Sequence, residues 1–176
     1  MVKQNIQGDA YVQLARQTIE EYVRTGKKIE VPKGLPAEMC QSRAGVFVSI
    51  KEEGQLRGCI GTLQAVQPSI AEEIIQNAVS SSTRDPRFPP IRPDELDKLA
   101  VSVDVLGEME EIDTLAKLDV KRYGVVVTKG YRRGLLLPNL EGVDSVEDQI
   151  AIAKQKAGIG YDEEVQLERF EVIRHQ

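Results

Sequence analysis

The 176-residue chain reads as an α+β protein, with a mostly antiparallel sheet and helices packed on it. Three observations lead there. Two segments alternate apolar and polar residues on either side of a glycine-containing turn, as β-hairpins do. Three others space their apolar residues at helical intervals behind a capping residue. The resulting order, αββαβββαβ, lacks the sustained βαβ alternation of a parallel sheet.

The first helix lies in "GDAYVQLARQTIEEYVRTGK", where Val12, Ala15, Ile19 and Val23 form the apolar stripe. Asp9 is its N-cap and Gly26 its stop. "KIEVPKGLPAEMCQSR" holds two prolines and no clear period, and is read as an extended, wrapping segment. "AGVFVSIKEEGQLRGCIGTL" is the first hairpin, with its turn in "KEEGQ" and a return strand from Leu56 to Leu63. Alternation along a regular return strand puts Leu56, Gly58, Ile60 and Thr62 on one face, and Arg57, Cys59, Gly61 and Leu63 on the other.

"QPSIAEEIIQNAVSSS" is a helix opened by Ser69 or Pro68, with Ile70, Ile74, Ile75 and Ala78 buried. "TRDPRFPPIRPDEL" carries four prolines, and is a loop stiffened by their fixed φ angles. "LAVSVDVLGEMEEI" alternates as a strand. "YGVVVTKGYRRGLLLP" is the second hairpin, with Lys129 and Gly130 in its turn. "SVEDQIAIAKQKAG" is a helix with Ser145 as N-cap, Asp148 at the third position and Gly158 as stop. "EEVQLERFEVIR" is the last strand. No internal repeat or low-complexity tract is evident.

Composition narrows the chemistry. Apolar residues make up 41% and charged residues 29%, as in an ordinary globular chain. No apolar run approaches the ~20 residues that span a bilayer, and "MVKQNIQGDAYVQ" lacks the core of a signal peptide, so a cytoplasmic location without membrane attachment is expected. The net charge of −5 argues against nucleic acid as a partner. Cys40 and Cys59 are read as reduced thiols, far apart and in no CxxC. With a single histidine, His175, near the end, a His-rich metal site cannot be built, and no cofactor motif is present. Chemistry here falls to Cys, Arg, Lys, Asp, Glu, Tyr or backbone amides.

Two stretches stand out. In "LRGCIGT" a thiol sits between two glycines, with Arg57 nearby to stabilise a thiolate. Gly58 and Gly61 are poor strand formers that mark close approach to the backbone, and the approaching group is either a ligand or the helix of residues 68–82. Cys59 is thus a nucleophile, a redox sensor or a small core residue, two distant cysteines giving poor metal ligation. In "RDPRF", Arg84 and Arg87 offer forks for a carboxylate or phosphate, and Asp85 accepts a proton or orients an arginine. The plain alternative is a structural ion-pair loop pinned by Phe88. Arg132 and Arg133 read as solvated residues at a hairpin mouth.

These segments together resemble the AMMECR family, whose microbial branch is known as AmmeMemoRadiSam system protein A. The likeness runs from about Ala10 to Glu171 and is carried by "LRGCIGT", "RDPRFPPIRPDEL", "YGVVVTKGYRRGLLLPNLEG" and "AIAKQKAGI". It implies one AMMECR-type domain over residues 1–176, made of a larger and a smaller lobe with a cleft between them. The family's recurring residues fall on Arg57, Gly58, Cys59, Ile60, Gly61, Asp85, Arg87, Phe88, Glu95, Gly124, Leu137 and Pro138. The resemblance also implies a three-part system with a Memo-like protein and a radical SAM protein. The chain departs from the pattern at "SSSTR", where many relatives have small apolar residues, and near the last helix, where many have a cysteine and a tryptophan.

Two functional readings follow. In one, the chain is an enzyme or enzyme component acting on a small anionic substrate, with Cys59 and Asp85 as catalytic groups and Arg57, Gly58, Gly61, Thr62, Arg84 and Arg87 binding the substrate. In the other, the same surface is a non-catalytic module that holds a peptide, a nucleotide or a partner protein. An RNA-related accessory role requires the arginines at 84, 87, 92, 132 and 133 to converge.

Overall fold

The structure, a computed structural model, describes residues 8–176. Most of the N-terminal stretch read above as lacking a signal-peptide core lies outside the described residues. Two compact units emerge, one running to Leu106 and taking in Ile173–Gln176, the other Gly107–Val172.

The first unit opens with α1 (Ala10–Thr25), whose Asp9 side chain accepts from the Tyr11 and Val12 N–H groups and whose Gly26 adopts the left-handed C-cap. A five-residue helix, α2 (Ala37–Gln41), interrupts the segment expected to be extended, and its Met39 is fully buried. β1 (Val46–Glu52) and β2 (Gln55–Gly61) form the first hairpin. Glu53 and Gly54 both have positive φ, so the turn has the type I′ geometry whose twist matches the strands. α3 (Ile70–Thr83) is capped by Ser69. The proline-rich loop then closes into a 3₁₀ turn, Pro93–Lys98, ahead of β3 (Leu99–Leu106). Val46, Val48, Ile50, Val101 and Val103 face α1 and α3, forming one apolar core with Leu14, Ile19, Ile74 and Ala78.

The second unit holds β4 (Glu110–Ile112), β5 (Gly124–Lys129), β6 (Arg132–Leu136), α4 (Val146–Ala157) and β7 (Gln166–Phe170). Lys129 pairs with Arg132, so Gly130 and Tyr131 form the turn, one position later than the sequence suggested. Its core gathers Val125, Val127, Leu136, Ala153 and Ile159.

Two segments that alternate as single strands are each divided. Residues 99–112 break at Gly107 into β3 and β4, and residues 166–175 break at Glu171 into β7 and β8 (Val172–His175). The halves join different sheets, in the orders β2-β1-β3-β8 and β4-β7-β5-β6. Pairs β1–β2, β1–β3, β4–β7, β5–β6 and β5–β7 are all antiparallel. Among the described residues the α+β architecture therefore comprises two four-stranded sheets.

A repeat that the sequence conceals is visible in the topology. Each unit contains a hairpin, a serine-capped helix and a returning strand, with the hairpin's first strand in the middle (β1β2α3β3 and β5β6α4β7). A glycine on the second strand lets the helix lie against it. A Cβ on Gly58 would fall 2.1 Å from the Ser81 carbonyl oxygen, and one on Gly134 would fall 2.1 Å from that of Ala153. Gly58 lies opposite Ile50, which pairs with Val101; Gly134 lies opposite Val127, which pairs with Leu167. Side chains outside this frame differ enough that no residue-level repeat survives.

Candidate functional site

The site is built where α3 and the loop after it meet β2. The four-residue spacing of Glu73, Asn77, Ser81 and Asp85 lays a row of buried polar side chains along the hairpin. Glu73, fully buried, accepts from the Thr62 hydroxyl at 3.1 Å and from the Val66 and Gln67 N–H groups. Asn77 donates to the Val46 carbonyl and to Thr62 Oγ1. The Ser81 hydroxyl accepts from Ile60 N–H and donates to the Val48 carbonyl, bridging a cross-strand pair. Asp85 accepts from Cys59 N–H at 3.0 Å. Sequence reasoning missed the first three of these residues. The available signal was their spacing of four, on a helix whose apolar stripe they border.

Asp85 and Arg87 act on Cys59 as a neighbouring strand would. The carboxylate receives the Cys59 N–H, and Arg87 Nη2 donates to the Cys59 carbonyl at 3.2 Å. The pair is itself bidentate, with Nε to Oδ1 at 3.0 Å and Nη2 to Oδ2 at 2.8 Å. Oδ1 also takes the Arg87 backbone N–H. β2 is an edge strand, and this fork covers its exposed backbone at Cys59. The Arg87 guanidinium holds the Asp85 carboxyl down to about 2, against the burial that would raise it, with the Cys59 and Arg87 N–H groups adding to the effect. Asp85 is thus ionised at neutral pH, with no proton to give.

Arg57 occupies a different position from the one a regular strand predicts. Gly58 pairs with Ile50 and Leu56 with Lys51, so Arg57 is the extra residue of a β-bulge. Its guanidinium grips Glu95 through Nε and Nη2, each at 3.1 Å, and donates to the Pro89 and Pro90 carbonyls. Glu52 lies 3.7 Å from its Nε. The Arg57 side chain is only 12% exposed, and it clasps the proline-rich loop to the hairpin. Burial opposes ionisation of Glu95, but the Arg57 fork and the Arg92 N–H together outweigh it and keep that carboxyl below the usual range. Glu52 is shifted upward by burial and by its proximity to Glu95.

Cys59 is partly exposed on the sheet face opposite the helices, in no disulfide. Its Sγ lies 3.2 Å from Ser49 Oγ, and Ser49 pairs in turn with Ser102, giving a thiol–hydroxyl–hydroxyl row across three strands. Arg87 is near enough that a thiolate at Cys59 favours its charged form. Its side chain is 47% exposed, and among the described residues Nη1 bonds to nothing.

The remaining expected residues lie in other surroundings. Gly58 makes room for α3. A Cβ on Gly61 would sit 2.3 Å from the Phe47 ring, so that ring is what approaches it. Thr62 belongs to the Glu73 network. Arg84 is exposed at the C-cap of α3, and its side chain has no partner among the described residues. Arg132 and Arg133 pair with Glu163 and Glu168. His175 stacks on Tyr11 at 3.8 Å and bonds Asp9. A surface concavity of about 480 Å³ is lined by Thr128, Lys129, Gly130, Glu164, Val165 and Gln166, all within the second unit. Among the described residues, no helix is long and apolar enough to cross a membrane.

Comparison with known proteins gives a consistent picture. The AMMECR1 family profile matches residues 12–175. A Thermotoga maritima protein is 52% identical over 168 residues, which cover 94% of this chain and 97% of that one. A Clostridium acetobutylicum protein is 50% identical over 169 residues, but the chain spans only 36% of its length. The crystal structure of an uncharacterized protein from Pyrococcus horikoshii superposes with a TM-score of 0.86 at 38% identity, covering 93% of this chain and 88% of that one.

Proposed function

The chain belongs to the AMMECR1 family, and from that premise we propose that it is an enzyme component acting on a small anionic substrate at Cys59, within a cytoplasmic three-part system that includes a Memo-like protein and a radical SAM protein. Cys59 is the reacting thiol, Arg87 the group that meets the substrate, and Asp85 the positioning residue that fixes Arg87. Arg57 and Glu95 hold the loop that carries both. The single observation supporting this reading is the Arg87 guanidinium, locked on one edge by Asp85 and the Cys59 carbonyl, with Nη1 unbonded among the described residues and the whole group near enough to respond to charge on the partly exposed Cys59.

The test is metabolite profiling of a deletion strain, of strains lacking the Memo-like or the radical SAM protein, and of a strain carrying Cys59→Ser. The reading expects one small anionic compound to accumulate in all of them. A Cys59→Ser strain indistinguishable from wild type removes the thiol from the chemistry, and non-overlapping profiles remove the shared system.

One observation favours a second reading, a non-catalytic binding module. Asp85, held down to about 2 by Arg87, is a weak base whose oxygens are already engaged, His175 bonds Asp9, and the Cys59 and Ile60 N–H groups are spent on Asp85 and Ser81, which leaves neither an evident general base nor an oxyanion hole at those two positions. Under that reading, the compound that accumulates in the deletion strain binds Cys59→Ser as tightly as wild type.

A further inference from the structure

The charges around Cys59 restrict what the site accepts. Arg87 is paired with Asp85 through two hydrogen bonds, and Arg57 is paired with Glu95 through two more, with Glu52 close by. Each guanidinium is therefore already neutralised by its own carboxylate, and Arg57 is turned toward Glu95 and the proline-rich loop. The bidentate edge of Arg87 is occupied by Asp85, and the second Nη2 proton by the Cys59 carbonyl. What remains is Nη1, a donor group on a half-exposed side chain whose charge is largely compensated. A phosphate monoester carries close to two negative charges and three acceptor oxygens, and is held by clusters of uncompensated arginines or by backbone nests. Neither arrangement is found among the groups bonded around Cys59, where Arg57 and Arg87 are each paired with a carboxylate and the N–H groups of Cys59 and Ile60 are both donated within the protein. A single carboxylate or acyl oxygen asks for no more than Nη1 offers, and the Ser49 hydroxyl beside Sγ adds a second small polar contact.

We infer that the substrate class of this site is a small carboxylate or acyl compound, read by Arg87 Nη1 alongside the Cys59 thiol, and not a phosphorylated one. This rests on the proposed reading of Cys59 and Arg87 and specifies its ligand.

Alkylation with a matched pair of reagents tests it in the intact protein. Iodoacetate and iodoacetamide both alkylate a thiolate with loss of iodide, and differ in a carboxylate against a neutral amide. The exposed Cys40 supplies an internal reference. Rates at both cysteines are followed by peptide mass spectrometry at constant ionic strength. The iodoacetate-to-iodoacetamide ratio is expected to be roughly two- to fivefold higher at Cys59 than at Cys40, the size of one half-exposed charge contact. Arg87→Gln should bring the two ratios together while leaving Cys40 unchanged. Acetate should protect Cys59, and inorganic phosphate at equal ionic strength should not. Protection by phosphate equal to or better than acetate overturns the inference while sparing the site. Equal ratios at the two cysteines, with Cys59 fully alkylated, also overturn it. A Cys59 that neither reagent modifies sinks the underlying reading of the site itself.

Discussion

Replacing Gly58 by alanine is the sharpest test of how the site is built. The new Cβ would stand 2.1 Å from the Ser81 carbonyl oxygen, where ordinary contact begins at 3.4 Å. Both partners are backbone, so no side chain can swing away. The helix must lift from β2 by more than an ångström. That movement stretches the Ser81 bonds to Ile60 and Val48. Overpacking of this kind costs about 1–3 kcal/mol, and two weakened buried hydrogen bonds add about 1 kcal/mol each. The sum, about 3–5 kcal/mol, corresponds to a fall in Tm of roughly 10 °C for a chain of this size. Urea denaturation followed by far-UV circular dichroism reads the free energy. Gly130→Ala is the control. That glycine has φ +60, and a Cβ there would meet nothing within 4 Å, so only backbone strain of about 1–2 kcal/mol is at stake. A Gly58→Ala variant that loses less than its Gly130→Ala counterpart would refute the argument that α3 rests directly on the strand.

Asp85→Asn should remove a pH-dependent part of stability. The folded carboxyl lies at about 2 against 3.8 unperturbed, so its contribution is fully present above pH ~4 and is lost as pH falls from 3.8 toward 2. At ~1.36 kcal/mol per pKa unit this is about 2 kcal/mol, and the gap between wild type and variant should close over that window in acid denaturation. Arg57→Met leaves Glu95 buried without its cation, and should cost about 3 kcal/mol and open residues 84–92 to limited proteolysis. Glu73→Ala should cost about 2–3 kcal/mol in chemical denaturation, since it orphans the Val66 and Gln67 N–H groups, and Glu73→Gln less than half of that.

Local chemistry made much of the fold legible. Asp9, Ser69 and Ser145 cap the helices the sequence assigns to them, and the alternation around "EEG" and "KGY" locates both hairpins. Alternation does not say which sheet a strand joins, so the sheet changes at Gly107 and Glu171 were invisible. A five-residue helix such as α2 is too short to display a period. At the site, "GCIG" and "DPR" were found as segments, but their roles depend on facts no local pattern carries. The bulge at Arg57 turns that side chain toward Glu95, and Ser81 rather than a ligand is what Gly58 accommodates. Glu73, Asn77 and Ser81 carry no local sign of burial, because burial by a hairpin is a tertiary event.

The measurement closest to the central claim is an add-back experiment. Purified protein is returned to an extract of the deletion strain, and consumption of the accumulated compound is followed. Wild type should restore it. Cys59→Ser, shown to unfold at the same denaturant concentration as wild type, should not. If the serine variant consumes the compound at the wild-type rate, the thiol is not the reacting group, and the account of this site as a thiol centre is wrong.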